Sequence, residues 1–269
     1  MGKYDIDQFR VSVIIPVYNA AKFVTKSVES AVHLKEVGEI LLIEDNSPDN
    51  ALEICLQLQK MYDKVRLFRH PNGENRGAGA SRNLGISYAQ YDYIAFLDAD
   101  DWYLPNRFDY ARSVYSLDKF DVLMEKSITD SSKYIYQLKD ESTFSALLRM
   151  GRGTIATNAI TIKRSILKPP FLFNEDLRLN QDTDLWLKLS LYCNVITNFN
   201  SDPVSVVRIH ANNRITKSKF EDKYKFRHNL LRLYVFNRHV SFSNQLYIIK
   251  RFTVIALAIN KYRITKLFA

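Results

Sequence analysis

The chain has two cysteines in 269 residues, Cys55 and Cys193, and neither has a second cysteine or a paired histidine at ligand spacing. That excludes a disulfide framework and a cysteine–histidine metal site. It leaves two buried free thiols in a reducing compartment as the expectation. Long apolar runs are also missing. The longest near the end, Phe252 to Ile259, falls far short of the roughly 20 residues that span a bilayer. Met1 to Arg10 is polar and charged, so no secretory leader is expected. There are no internal repeats and no low-complexity segments. No glycine-rich stretch ends in Gly-Lys-Ser/Thr, and no Gly-x-Gly-x-x-Gly follows the first apolar run. The two common phosphate-binding signatures are thereby excluded.

What is present is enough apolar material for one large core, 46% of the chain. The charge is uneven. From Val206 to the end there are 14 Lys and Arg against 2 Asp and Glu, a balance of +12. Residues 1–205 hold 24 against 27, a balance of −3. A near-neutral body with a basic tail points to an anionic partner such as a lipid surface, a phosphorylated substrate or nucleic acid.

The first hundred residues alternate two periodicities. Val11–Val17, Glu39–Ile43, Val65–Phe68 and Tyr93–Leu97 read as buried strands. Ala20–Leu34, Ser47 to about Tyr62, and Ala80–Ala89 read as helices, the second with a cap at Ser47 and an N1 proline at Pro48. Short connections between alternating elements imply a mostly parallel sheet with helices on both faces. Pro105–Leu117 and Asp182–Tyr192 read as further helices. Phe120 to Lys168 has no clear period, and the pattern after Ile215 is helical throughout. Residues 1–216 are taken as the catalytic unit, with a donor half to about 104 and an acceptor half from 105. Residues 217–269 are taken as a basic helical extension.

Polar residues cluster at the strand ends, where open α/β sheets bind ligands. Pro16-Val17-Tyr18-Asn19 closes the first strand and offers a ring and an amide. Glu44-Asp45-Asn46-Ser47 closes the second. There Asn46 and Ser47 are expected to cap the next helix, which leaves Asp45 for a nucleobase or ribose. Asn75-Arg76-Gly77-Ala78-Gly79-Ala80-Ser81-Arg82-Asn83 is a glycine-containing loop able to approach phosphates. Asp98-Ala99-Asp100-Asp101 follows the fourth strand, and its two alternate carboxylates can share a hard cation that bridges a diphosphate.

Taken in order, Val13–Asn19, Glu44–Asp49, Ala80–Ile86 and Phe96–Asp101 resemble family 2 glycosyltransferases of the GT-A fold, over roughly Val11 to Thr216. The resemblance implies a nucleotide-sugar donor, a divalent cation (Mn²⁺ or Mg²⁺) and inversion at the anomeric carbon. Position by position, it places Tyr18 and Asp45 at uracil, with Pro16, Val17 and Asn19 beside them. Arg82 falls near the diphosphate, with Arg76 as the weaker candidate. Asp98 and Ala99 fall at the ribose or sugar, and Asp100 at the metal. Gln181-Asp182-Thr183-Asp184 fits the acidic pair that carries the base, with Asp182 in the base position. Arg208-Ile209-His210 resembles the closing element near the diphosphate, with His210 as a metal ligand or phosphate donor. Glu44, Gln181 and Val207 depart from the usual Asp, Glu and aromatic residue. Losing the negative charge at 181 should leave Asp182 more acidic than in relatives.

The resemblance further implies a glycan or lipid-linked glycan acceptor, and a cytoplasmic protein peripheral to the inner face of the membrane. Neither Trp102 nor Trp186 lies in the Gln-x-x-Arg-Trp context of processive synthases, so transfer of a single sugar is preferred. Nucleotidyl transfer would want a glycine- and lysine-rich loop near the first strand, which is absent. The rival from another class is a silent GT-A-fold scaffold, or a membrane or nucleic-acid binder acting through the tail. Nucleic acid is not expected, because the tail's aromatics fall at core-like helical spacing.

Overall fold

Strand β1 (Val11–Val17) is apolar at almost every position because helices cover both of its faces. The computed structural model describes residues 8–115, 120–131, 134–135, 142–150, 155–209 and 220–267. After β1 the chain runs through α1 (Val24–Val32), β2 (Val37–Glu44), α2 (Ala51–Met61), β3 (Val65–Arg69), α3 (Gly77–Tyr88) and β4 (Tyr93–Phe96). It continues through β5 (Trp102–Tyr103), α4 (Asp109–Tyr115), β6 (Val122–Glu125), β7 (Ser127–Thr129), β8 (Tyr134–Ile135), α5 (Thr143–Met150) and β9 (Ile160–Lys163). The last elements are α6 (Gln181–Tyr192), β10 (Val195–Asn198), β11 (Ser205–Val207), α7 (Phe220–Tyr234) and α8 (Phe242–Leu267).

The main sheet has seven strands in the order β10-β6-β9-β4-β1-β2-β3. β4, β1, β2 and β3 are mutually parallel, and β10 is parallel to β6. β9 is inserted antiparallel between β4 and β6. β5, β11, β7 and β8 form a smaller sheet. The order changes direction at β1, whose neighbours β2 and β4 lie on either side. In open α/β sheets such a switch point opens the ligand crevice at the carboxyl ends of the strands.

Alternation along each strand sorts the core into two layers. Val11, Val13, Ile15 and Val17 join Ile40 and Leu42 under α1, α2 and α4. Ile14, Leu41, Ile43, Ile94 and Phe96 join α3, α5 and α6 on the other face. Leu230 and Tyr234 of α7 and Ile248 of α8 belong to that second layer, so the basic helices share the core of the sheet. Cys55 lies in the first layer, and burial pushes its thiol up to about 12. Cys193 is half-buried, and both thiols are free.

Several element boundaries differ from the sequence reading. α2 does not begin at Ser47-Pro48. The Asp49 carboxylate accepts the N–H of Ala51 at 3.2 Å and of Ala21 at 2.9 Å, while Ser47 N–H donates to Glu44 Oε1 at 2.6 Å. α4 begins at Asp109, after a turn at 105–108. The stretch from Phe120 to Lys168 holds short elements, β6 to β9 and α5, that pair with distant segments.

Candidate active site

Three of the strand-end clusters meet at the switch point. Val17 and Pro16 are buried or nearly so at the end of β1, while Tyr18 remains 41% exposed. Asn19 turns the chain with φ of 51°, and its N–H donates to Ser47 Oγ at 3.2 Å. Asparagine tolerates that left-handed conformation better than most residues. Tyr18 therefore projects from a fixed turn beside the crevice.

Asp45 is not left over for a ligand, as the capping argument expected. Its carboxylate is 1% exposed and accepts Arg76 N–H at 2.7 Å and Gly77 N–H at 2.8 Å. His70 Nε2 lies 3.6 Å away and hydrogen-bonds Ser81 Oγ at 3.0 Å. The predicted glycine loop is correspondingly shorter than expected, since Gly77 and Gly79 already belong to the first turn of α3. A helix N-terminus favours a negative group, and here Asp45 supplies it. Arg76 instead pairs with Glu175 at 2.9 Å.

Arg82 points the other way along α3. Its Nη2 donates to Asp98 Oδ1 at 2.5 Å, and the guanidinium lies over Phe173. Arg82 is nearly buried, while the Asp98 side chain is partly exposed. This places a cation and a carboxylate together at the mouth of β4.

The acidic turn after β4 is held by groups the sequence did not reveal. The Ser27 hydroxyl sits within hydrogen-bonding distance of the carbonyl oxygens of Asp98, Ala99 and Asp101, at 3.3, 2.8 and 2.5 Å. Asn158 accepts Asp98 N–H at 3.1 Å and donates to Asp101 Oδ2 at 2.5 Å. Arg107, fully buried, donates to the Asn158 and Ile160 carbonyls and to Glu125 Oε2 at 3.1 Å. Asp101 is buried, so of the three carboxylates only Asp98 and Asp100 retain access to solvent. Burial and its two acidic neighbours push Asp101 up to about 8, against the pull of its Arg208 and Asn158 donors.

Arg208 closes the turn from β11. Its N–H donates to Asp101 Oδ1 at 2.8 Å and its Nε to the Asp100 carbonyl at 2.9 Å. Its guanidinium lies between the rings of Trp102 and Phe23, 5.1 and 4.9 Å from their centroids. His210 lies outside the described residues. Among the described residues no group of three metal-ligating side chains is gathered. Two partly exposed carboxylates on one turn nevertheless suit a hard cation, because Mg²⁺ commonly takes one or two carboxylates and completes its shell with phosphate and water.

Asp182 lies in the first turn of α6, behind Asn180 in a left-handed turn. Its Oδ1 accepts Thr183 N–H at 2.7 Å and lies 3.3 Å from the Thr183 hydroxyl. Its pKa is raised, first by burial. The Thr183 N–H and the Arg82 guanidinium pull it down, and Asp98 pushes it up. Gly79 of α3 packs against the Gln181 amide at the start of α6, and a Cβ there would displace that side chain. Asn83 clamps the segment ahead of α6, accepting Phe173 N–H at 3.0 Å and donating to the Phe173 carbonyl and to Glu175 Oε1, both at 2.9 Å. Asn83 fell within the loop motif without a role of its own, and Ser27 and Asn158 carry no sequence signal beyond being polar; tertiary contacts give all three their places.

Known proteins resemble this chain in sequence and in fold. Residues 12–123 fit the family model described as Glycosyl transferase family 2. An uncharacterized glycosyltransferase of Rickettsia felis is 31% identical over 190 residues, 66% of this chain and 31% of that protein. The chain thus spans about a third of that relative's length. The structure of S. aureus TarS 1–349 in complex with UDP-GlcNAc superimposes with a TM-score of 0.69 at 17% identity, over 93% of this chain and 73% of that one. A Pyrobaculum calidifontis mannosyltransferase in complex with GDP-Man and Mn²⁺ gives 0.57 at 16%, over 82% and 62%. The fold is GT-A. Residues 12–123, which carry Tyr18, Arg82, Asp98 and Asp100, match the family 2 glycosyltransferases.

Proposed function

We propose that this protein is an inverting glycosyltransferase that moves one sugar from a nucleotide-sugar, in the first instance a UDP-sugar, to a hydroxyl of a glycan or lipid-linked glycan acceptor in cell-surface polysaccharide or lipooligosaccharide synthesis. The observation that carries the reading is the convergence of α3, β4 and α6. They bring the Arg82–Asp98 pair and Asp182 within electrostatic reach of one another at the switch point. The UDP-GlcNAc bound by TarS supports the donor class.

In this reading Pro16, Val17, Tyr18 and Asn19 line the base end of the donor site. Asp45 acts there by fixing the start of α3. Arg82 and Arg208 face the diphosphate, and Asp98 and Ala99 the ribose or sugar. Asp100, with His210, would hold a divalent cation. The ion supplies charge stabilisation for the departing diphosphate. Asp182 takes the proton from the acceptor hydroxyl as that oxygen bonds to the anomeric carbon. The bond from that carbon to the diphosphate breaks on the opposite face, and the nucleoside diphosphate leaves. Incubation with a panel of nucleotide-sugars, followed by release of nucleoside diphosphate, tests the reading. Release from one donor with inverted product stereochemistry supports it, and no release from any donor by a protein that binds no nucleotide contradicts it.

The basic helices favour a second element of the proposal, attachment to the inner face of the cytoplasmic membrane. No described helix is long and apolar enough to cross a membrane. Phe242, Leu246, Ile249 and Leu257 are exposed at helical spacing along α8, with Lys250 beside them. Apolar contact with added cations is the pattern of an interfacial helix.

A further inference from the structure

Beside the first turns of α6, a cavity of about 390 Å³ opens between α5, α6, α7 and α8. That is within the range of about 300–1,000 Å³ typical of small-ligand sites. Leu147, Leu187, Phe226, Leu230 and Ile248 supply apolar wall. Lys223, Arg227 and Arg251 supply three cations, and no acidic residue lines the space among the described residues. Neither Arg227 nor Arg251 has a carboxylate partner among the described residues. Arg227 is instead anchored by its own Nη1, which donates to the Arg251 carbonyl at 2.9 Å. Burial and the Arg251 charge both lower the Arg227 pKa. Arg227 and Arg251 thus lie within electrostatic reach of each other at an apolar wall that no acidic side chain lines among the described residues. Thr183 also lines the cavity, and its N–H and hydroxyl face the Asp182 carboxylate.

We propose that this cavity binds an amphiphilic phosphate, with an apolar chain among the leucines and a phosphate on Lys223, Arg227 and Arg251. An apolar chain alone would not need three cations. A free anion would not need the apolar walls, and guanidinium is the side chain best matched to phosphate oxygens. The role of the bound molecule rests on the glycosyl-transfer reading. Seated behind Thr183, it would be the phosphate-bearing, chain-bearing part of the acceptor, held so that a hydroxyl can reach Asp182.

Calorimetric titration of the full chain with monomeric decyl phosphate, inorganic phosphate and neutral decyl maltoside tests the site. UDP titration is run on every sample. Decyl phosphate is expected to bind, and Arg227→Gln combined with Arg251→Gln to weaken it at least about tenfold while UDP binding and the melting temperature stay unchanged. Lys223→Gln gives the same readout without touching the guanidinium pair. Equal binding of inorganic phosphate would remove the chain from the site. Equal binding of decyl maltoside, insensitive to the variants, would remove the charge from it. No binding of decyl phosphate would overturn the proposal outright. Binding of decyl phosphate by a protein that binds no nucleotide would keep the cavity and overturn the donor reading instead.

Discussion

In the proposed reaction Asp182 removes a proton while its own carboxylate is held by Thr183. One oxygen carries both Thr183 contacts, which leaves the other for the acceptor. A positioned general base contributes about 10²–10⁴ in rate. Asp182→Asn should lower kcat by about that factor and leave donor binding intact, as steady-state kinetics and UDP titration would show. Burial raises the carboxyl above its ordinary 3.8. A raised pKa keeps the base protonated to higher pH, so activity is lost as pH falls through that value. The acidic limb of kcat/KM should therefore lie above the range of a free aspartate, and Asp182→Asn should abolish that limb. A limb at the ordinary carboxylate position would contradict the burial. Asp98 and Asp100 were legible as candidates because carboxylates have chemistry at a strand end, whereas the pairing of Arg82 with Asp98 across α3 and β4 was not. The commitment of Asp45 to Arg76 and Gly77 was not, because nothing local reveals that β2 ends against the start of α3.

Helix α3 and the turn after strand β4 carry the Arg82–Asp98 pair of the candidate site, and both elements are fixed by contacts to their neighbours. A Cβ at Gly85 would run into the Ile14 side chain on β1. Gly85→Val should therefore push α3 off the sheet at a cost of about 1–3 kcal/mol, the usual penalty for overpacking. It should also weaken donor binding, since Arg82 lies one turn away on the same helix; thermal unfolding and UDP titration read the two effects. β9, which pairs with β4, is fixed to β6 by a buried pair, Arg107 and Glu125. Arg107→Ala would strand Glu125, which burial already pushes up to about 7. Loss of one partner of a buried pair costs about 3–5 kcal/mol, so this variant should lose a large part of its stability in denaturant titration. Long buried strands and amphipathic helices were readable from period alone. β6 to β9 were not, since strands of two to four residues carry almost no periodicity and β9 enters between β4 and β6 by long-range pairing.

At the scale of the whole molecule, the neutral body and the basic tail belong to one core. α7 is tied to α6 by Asn229 Nδ2, which donates to the buried Asp184 carboxylate at 2.5 Å, and Lys188 pairs with the same group at 2.7 Å. The charge asymmetry was legible in the sequence; the packing of α7 and α8 onto the sheet was one of two readings it allowed. Flotation with anionic vesicles at low salt should retain the protein, and neutral vesicles or high salt should release it. No retention on anionic vesicles would remove the membrane from the account. The donor site is the central claim, and titration with UDP, with and without Mn²⁺, alongside Asp100→Ala tests it most directly. The account predicts UDP binding that Mn²⁺ strengthens in the natural chain and does not strengthen in the variant. UDP binding that neither Mn²⁺ nor Asp100→Ala alters would contradict the cation on the acidic turn, and no UDP binding under any condition would contradict the UDP-sugar assignment.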